Sequence, residues 1–192
     1  MQKRPDGLIA EDNTAGKRTE ESLRLLNSAV LQSKDAILIT DAQLDLPGPR
    51  VVFVNPAFTT MTGYAAEEIV GRTPRILQGP RTDRAVLRRL RLNLERGEGF
   101  EGEAINYRKD GMEFVLEWQI APIRNAAGKI THFVATQRDI TGRRKEEEAR
   151  RATDARYRAL FEYAPGGILI ADPKSYYVDA NASMCRMLGY TR

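Results

Sequence analysis

Cysteine, histidine and tryptophan each occur once in this 192-residue chain, as Cys185, His132 and Trp118. A lone cysteine excludes an intramolecular disulfide and fits a reducing compartment, so a cytoplasmic protein is expected. One cysteine and one histidine also exclude a zinc site, which takes several such ligands; no metal site is expected. Long apolar runs are missing: the longest is Gly166 to Ala171, against about 18 residues for a membrane helix. The N-terminus, Met1 to Gly7, has a basic start with no apolar stretch behind it, so it is not a secretory signal. Charge of one sign is not in excess. Thirty Lys and Arg against 26 Asp and Glu leave +4, too little to argue for nucleic acid. Catalytic signatures are absent too, with no Gly-x4-Gly-Lys-Ser/Thr loop, no Gly-x-Ser-x-Gly and no histidine on a phosphoacceptor helix. No catalytic residue is expected within the chain.

What is present is an ordinary globular composition, 42% hydrophobic, enough for one well-buried domain with something attached or for two small ones. Residues 1–18 read as a polar, mobile leader, punctuated by Pro5, Gly7 and Gly16. Thr19 then caps an expected helix over 19–35, with Glu20 and Glu21 in its first turn and Leu23, Leu26, Val30 and Leu31 at helical spacing. Two strand-like runs follow, Ala36 to Asp41 and Arg50 to Val54, separated by the turn Pro47-Gly48-Pro49. Asn55-Pro56 opens a short helix that ends before Gly63. Short helical turns are expected over Ala66 to Gln78.

A longer helix, capped by Thr82 or Asp83, carries Val86, Leu87, Leu90 and Leu94 on one face, with Arg84, Arg88 and Arg89 largely off it. Its arginines, with Arg81 and Arg91, lack interleaved aromatics and are flanked by Asp83 and Glu95, so they read as a solvated face. Three strands complete the unit: Glu101 to Arg108, Met112 to Ile123 and Ile130 to Ile140. Lys109-Asp110-Gly111 and Asn125 to Gly128 supply the turns. Five strands with helices inserted after the second give an α+β fold, an antiparallel sheet with helices on one face. Beyond residue 141 the chain turns sharply charged, and the pairs Glu146 with Arg150 and Glu147 with Arg151 predict a solvated helix over 142–162.

The chain also repeats itself. Ile168-Leu169-Ile170-Ala171-Asp172 echoes Ile37-Leu38-Ile39-Thr40-Asp41 at an offset of 131, and Asn181 to Tyr190 echoes Asn55 to Tyr64 at an offset of 126. The difference of five falls in the first hairpin turn, around Leu46 to Arg50. The expected organisation is one complete unit over 36–141, a connecting helix, and an incomplete second unit over 163–192 belonging to a longer protein.

Five blocks in order carry a family resemblance: Asp35 to Asp41, Asn55 to Tyr64, Gly71 to Gly79, Asn106 to Gly111, and Gln137 to Thr141. Together they resemble a PAS domain with its C-terminal PAC motif, and residues 157–192 resemble the start of another. The resemblance implies the five-stranded PAS sensor fold. It also implies a parent signalling protein, a sensor histidine kinase or a cyclic-dinucleotide enzyme such as a diguanylate cyclase, with its output domains elsewhere in the same chain. Gly71-Arg72-Thr73-Pro74-Arg75-Ile76-Leu77-Gln78-Gly79 is similar to the flavin segment of light-oxygen-voltage domains, Gly-x-Asn-Cys-Arg-Phe-Leu-Gln-Gly. Pro74 stands where that family has its photoreactive cysteine, Thr73 replaces an Asn, and Leu116 replaces a second flavin-contacting Asn.

By the same resemblance Arg75, Gln78, Asn106 and Gln137 match flavin contacts, and Arg91 matches the arginine that reaches the phosphate. By the resemblance FMN or FAD is one candidate cofactor, held without thiol-adduct photochemistry, with another small ligand or none left open by the residues; Trp118 is expected to project toward the cavity and narrow it. Haem is not expected, because His132 lies on the last strand and not on the long helix. Gln137, Asp139 and Thr141 are the expected signal relay, Thr141 capping the outgoing helix and Asp139 tying it to the sheet. The sheet face is expected to pack the N-terminal helix and a second protomer, giving a homodimer. The competing expectation is a ligand-free dimerisation and spacer module driven by Leu23, Leu26 and Val30.

Overall fold

Strand pairing follows the alternation written into the sequence. The structure, a computed structural model, describes residues 8–189, with side chains from Gly16 onward. β1 (Ala36–Asp41) and β2 (Val51–Val54) form a hairpin, and β3 (Phe100–Tyr107), β4 (Glu113–Arg124) and β5 (Ile130–Asp139) form a meander. All pair antiparallel in one sheet of order β2-β1-β5-β4-β3, so the first and last strands meet at its centre. Every expected strand lies within a residue or so of its predicted span. Successive side chains alternate between the two faces, which buries Leu38 and Thr40 of β1, Phe114, Leu116 and Trp118 of β4, and Phe133, Ala135 and Gln137 of β5.

Helices cover part of that buried face: α2 (Pro56–Thr62), α3 (Ala66–Ile69), a 3-10 turn (Pro74–Leu77) and α4 (Arg84–Glu95). Asn55 caps α2 by accepting the Phe58 N–H at 3.1 Å, Pro56 stands at its first position, and Gly63 ends it at φ 77°. This capping delivers Phe58, fully buried, into a cluster with Leu38, Val51, Ile69 and Leu77. A second cluster joins Phe100, Phe114, Leu116 and Trp118 to Val86 and Leu90 of α4. Asp83 caps α4, accepting from Ala85 at 2.7 Å. Thr82, the alternative cap, instead donates to the Ile105 carbonyl of β3 at 2.7 Å.

The N-terminal helix differs from expectation. α1 runs from Leu8 to Gln32, starting well before Thr19, although residues 1–7 of the expected leader lie outside the described residues. No proline interrupts the chain between Pro5 and Pro47, and a single glycine inside a helix costs only about 1 kcal/mol, so Gly16 does not stop it. Among the described residues the main packing partner of α1 is α2. Asn55 makes the anchor, its Nδ2 donating to the Val30 carbonyl at 3.1 Å and the Asp35 carbonyl at 2.9 Å while its Oδ1 accepts the Ile37 N–H at 2.8 Å. Leu23 and Leu26 stay 62% and 64% exposed.

Residues from Gly142 onward form a separate compact unit. It contains most of α5 (Thr141–Glu162), the hairpin of β6 (Leu169–Ala171) and β7 (Tyr177–Ala180), and α6 (Ala182–Leu188). Glu147 and Arg151 pair along α5 at 2.6 Å. Here Asn181 repeats the bonding of Asn55 atom for atom. Its Oδ1 accepts from Ile168 and Met184, and its Nδ2 donates to the Phe161 and Gly166 carbonyls. Tyr190, the last element of the sequence repeat, lies outside the described residues. Among the described residues no helix is long and apolar enough to cross a membrane.

Candidate functional site

Between the sheet and α4 lies a cavity of about 460 Å³. The sheet supplies its floor because side chains two apart on a strand share a face, and pairing sets them side by side. Trp118 stands opposite Gln137, Leu38 opposite Ala135 and Leu116 opposite Ala104. Leu77 of the 3-10 turn and Leu87, Leu90 and Leu94 of α4 supply the opposite wall. Trp118 is buried and lines the cavity, its ring 5.8 Å from that of Phe100.

Two buried amides interrupt the apolar floor. Asn106 and Gln137 are each 6% exposed, and Asn106 Oδ1 and Gln137 Oε1 have no hydrogen-bond partner. A buried polar atom left unpaired costs about 1–3 kcal/mol, so the fold carries this cost twice in one cavity. Each amide holds both donors and an acceptor, and a half-turn of its terminal torsion exchanges them.

The loop above Asn106 is fastened on both sides of it. Thr82 Oγ1 donates to the Ile105 carbonyl and accepts the Gly79 N–H at 2.9 Å, and the Tyr107 hydroxyl accepts the Arg81 N–H at 3.1 Å. A Cβ at position 79 would fall 2.2 Å from the Tyr107 ring, so glycine is required where the chain leaves Gln78. Sequence reading assigned neither Thr82 nor Tyr107 this role; Gly79, at the end of the flavin-like segment, was the available signal.

All five residues expected to contact a cofactor line this one cavity: Arg75, Gln78, Arg91, Asn106 and Gln137. Thr73, Pro74 and Leu116, the three departures from the light-oxygen-voltage pattern, line it as well. The α4 arginines are exposed, as expected of a solvated face, and Arg84, Arg88 and Arg91 also border the cavity. Spacings of four and three residues set them on one stripe beside Leu87 and Leu94. Arg89 does face elsewhere, over the Phe100 ring at 5.2 Å.

At the exit of β5 the expected relay residues adopt a specific arrangement. Asp139 accepts the Thr141 N–H at 2.8 Å and pairs with Arg108, which also donates to the Met61 carbonyl and lies over Phe114. The Thr141 hydroxyl, expected from sequence to cap α5, accepts the Val115 N–H of β4 at 2.8 Å. Next door, Arg138 forks onto Asp35 at 2.6 and 2.7 Å, tying β5 to the entry of β1.

Burial opposes ionisation of Asp139, but hydrogen bonds from Thr141 and pairing with Arg108 outweigh it and hold its carboxyl below the ordinary 3.8. Asp35 is likewise lowered, chiefly by hydrogen bonding to Arg138. A depressed folded-state pKa gives stability that is complete above the unfolded value and lost as pH falls through the folded one. Acid titration followed by circular dichroism should therefore show stability falling below pH 3.8. Asp139→Asn should flatten that slope; an unchanged slope would contradict the assignment.

The sheet order, the helices on one face and the cavity between them define a PAS fold, and residues 34–142 match the PAS domain family. The chain belongs to that family, and its first unit is a sensory input module. A PAS domain match also covers residues 155–192. Among proteins, the blue-light-activated histidine kinase of Brucella canis is 41% identical over 105 residues, 55% of this chain and 21% of that protein. This chain thus spans about a fifth of that relative's length. Among solved structures, the LOV domain of a blue-light activated histidine kinase from Erythrobacter litoralis is 33% identical, with a TM-score of 0.53, covering 57% of this chain and 99% of that one. A light-oxygen-voltage domain studied with a flavin analogue is 31% identical, with a TM-score of 0.57, covering 68% and 95%.

Proposed function

We propose that residues 36–141 hold a flavin non-covalently and pass its state through the connecting helix, 142–162, to output domains of a larger signalling protein, a histidine kinase or a cyclic-dinucleotide enzyme. The observation that carries this reading is the pair of unpartnered amides, Asn106 and Gln137, buried among the apolar side chains of a cavity whose border carries arginines. Such walls with a few convergent polar groups suit a planar heterocycle bearing edge donors and acceptors. A flavin, when bound, supplies reversible redox chemistry and absorption of visible light. Asn106, Gln137 and Gln78 orient the ring edge, the leucines exclude water from its faces, and Arg75 and Arg91 meet the phosphate with guanidinium forks.

Thiol-adduct photochemistry is not part of this function. Pro74 occupies the family's cysteine position, and the chain's one thiol, Cys185, belongs to the second unit. What remains is a change of redox state or of hydrogen bonding at the ring edge. Gln137 and Asp139 lie two apart on β5 and share a face, and Asp139 holds the first N–H of α5. That arrangement supports Gln137, Asp139 and Thr141 as the route out of the cavity. A ligand that favours one of two sheet–helix arrangements shifts their populations by its differential affinity.

The exposed leucines of α1 favour self-association through that helix beside sensing, as in the dimerisation reading. We read residues 163–192 as the opening elements of a second PAS unit, on the shared bonding of Asn55 and Asn181. The single cysteine suits a reducing, cytoplasmic setting. The test is the absorption spectrum of the purified chain after incubation with flavin and removal of the excess. Flavin bands retained with the protein are expected; a colourless protein would overturn the cofactor assignment and leave the dimerisation module.

A further inference from the structure

The mouth of the cavity carries more positive charge than one phosphate can use. Four arginines border it, Arg75, Arg84, Arg88 and Arg91, and no acidic side chain does. Neighbouring arginines are engaged by the protein: Arg81 pairs with Glu113 at 2.5 Å, and Arg89 donates to the Glu101 carbonyl at 3.3 Å. Of the four, Arg91 shares its charge with Glu95 at 2.7 Å. Arg75, Arg84 and Arg88 form no ion pair among the described residues, and like charges one helical turn apart repel. Such a stripe is relieved by an anion.

How large an anion follows from geometry. A phosphate monoester has three terminal oxygens, and two guanidinium forks occupy them. Arg84 and Arg91 are rooted about 10 Å apart along α4, so the stripe is longer than one phosphate. Outside the stripe, the β1–β2 loop adds an apolar wall, Leu44 and Pro49, to the same cavity. This loop holds the five residues that the second sequence copy lacks.

Building on the flavin reading, we infer that Arg84 and Arg88 bind a second phosphate linked to the first. The cavity thus selects a flavin dinucleotide over the mononucleotide, with the distal nucleoside against Leu44 and Pro49. Arg75 and Arg91 serve either ligand; Arg84 and Arg88 serve only the dinucleotide.

Fluorescence-quenching titrations of the full chain with FMN and with FAD separate the possibilities. FAD is expected to bind at least about tenfold more tightly than FMN. The double variant Arg84→Gln/Arg88→Gln should lose about tenfold toward FAD and stay within about twofold toward FMN. Both side chains are exposed, so its melting temperature should not change. Equal affinities, a preference for FMN, or a double variant that weakens both ligands alike would overturn the dinucleotide inference while leaving flavin binding intact. Failure of both flavins to bind would overturn the underlying reading as well.

Discussion

Asn55→Ala should lower the melting temperature of the sensor unit by about 15 °C, for a loss of about 3–5 kcal/mol. Asn55 is 1% exposed and serves four backbone groups in three elements: the Ile37 and Phe58 N–H groups and the Val30 and Asp35 carbonyls. Loss of the helix cap alone costs about 1 kcal/mol. Each further backbone group stranded away from water costs about 1–3 kcal/mol, though not additively. Alanine supplies neither donor nor acceptor, so the start of β1, the start of α2 and the end of α1 are unfastened together. A change smaller than about 1 kcal/mol would show that water replaces all four bonds and that Asn55 is not the junction described here. Differential scanning calorimetry measures it directly.

Asn106→Leu and Gln137→Leu should act in the opposite sense on stability. Removing a buried amide normally destabilises because its partner is stranded, but these two carbonyl oxygens have no partner. Leucine matches the apolar surroundings, Leu116, Trp118 and Ala135 among them, and removes a desolvated polar group. In the ligand-free protein each variant should gain about 1 kcal/mol. In flavin titrations each should lose tenfold or more, about 1.4 kcal/mol or above, because the ring edge loses an oriented hydrogen bond. Stability gained where binding is lost is the signature of a group kept for a ligand. If both variants destabilise the ligand-free chain, the amides are structural and the cofactor assignment loses its main support.

Local chemistry made much of this architecture legible in the sequence. Asn55-Pro56 and Gly63 bracket α2 because a cap, a fixed proline φ and a left-handed glycine act within one helix. Two turns, Lys109-Asp110-Gly111 and Asn125 to Gly128, set the meander. The repeat is legible at both offsets, and Asn55 and Asn181 show what it preserves: a set of hydrogen bonds rather than a surface. The cavity residues Asn106 and Gln137 are legible in the family pattern, and strand periodicity alone puts Gln137 on the same face as Phe133 and Ala135.

What was not legible depends on partners distant in sequence. The start of α1 rests on helix propagation through weak breakers, which capping rules place too late. Thr82 has the chemistry of a cap, yet its hydroxyl serves Ile105, 23 residues away. Thr141 likewise serves Val115, 26 residues back. Whether Arg84 and Arg88 meet solvent or a cavity depends on the space left between α4 and the sheet, which helical periodicity does not report.

The most direct test of the central claim is nuclear magnetic resonance of the chain labelled with 15N, titrated with flavin. Side-chain NH2 signals of Asn106 and Gln137 are assigned by loss in the leucine variants. The account predicts that these two pairs shift on binding, while the NH2 pair of Asn55, already bonded, stays in place. Flavin binding that leaves both cavity pairs unmoved would contradict it.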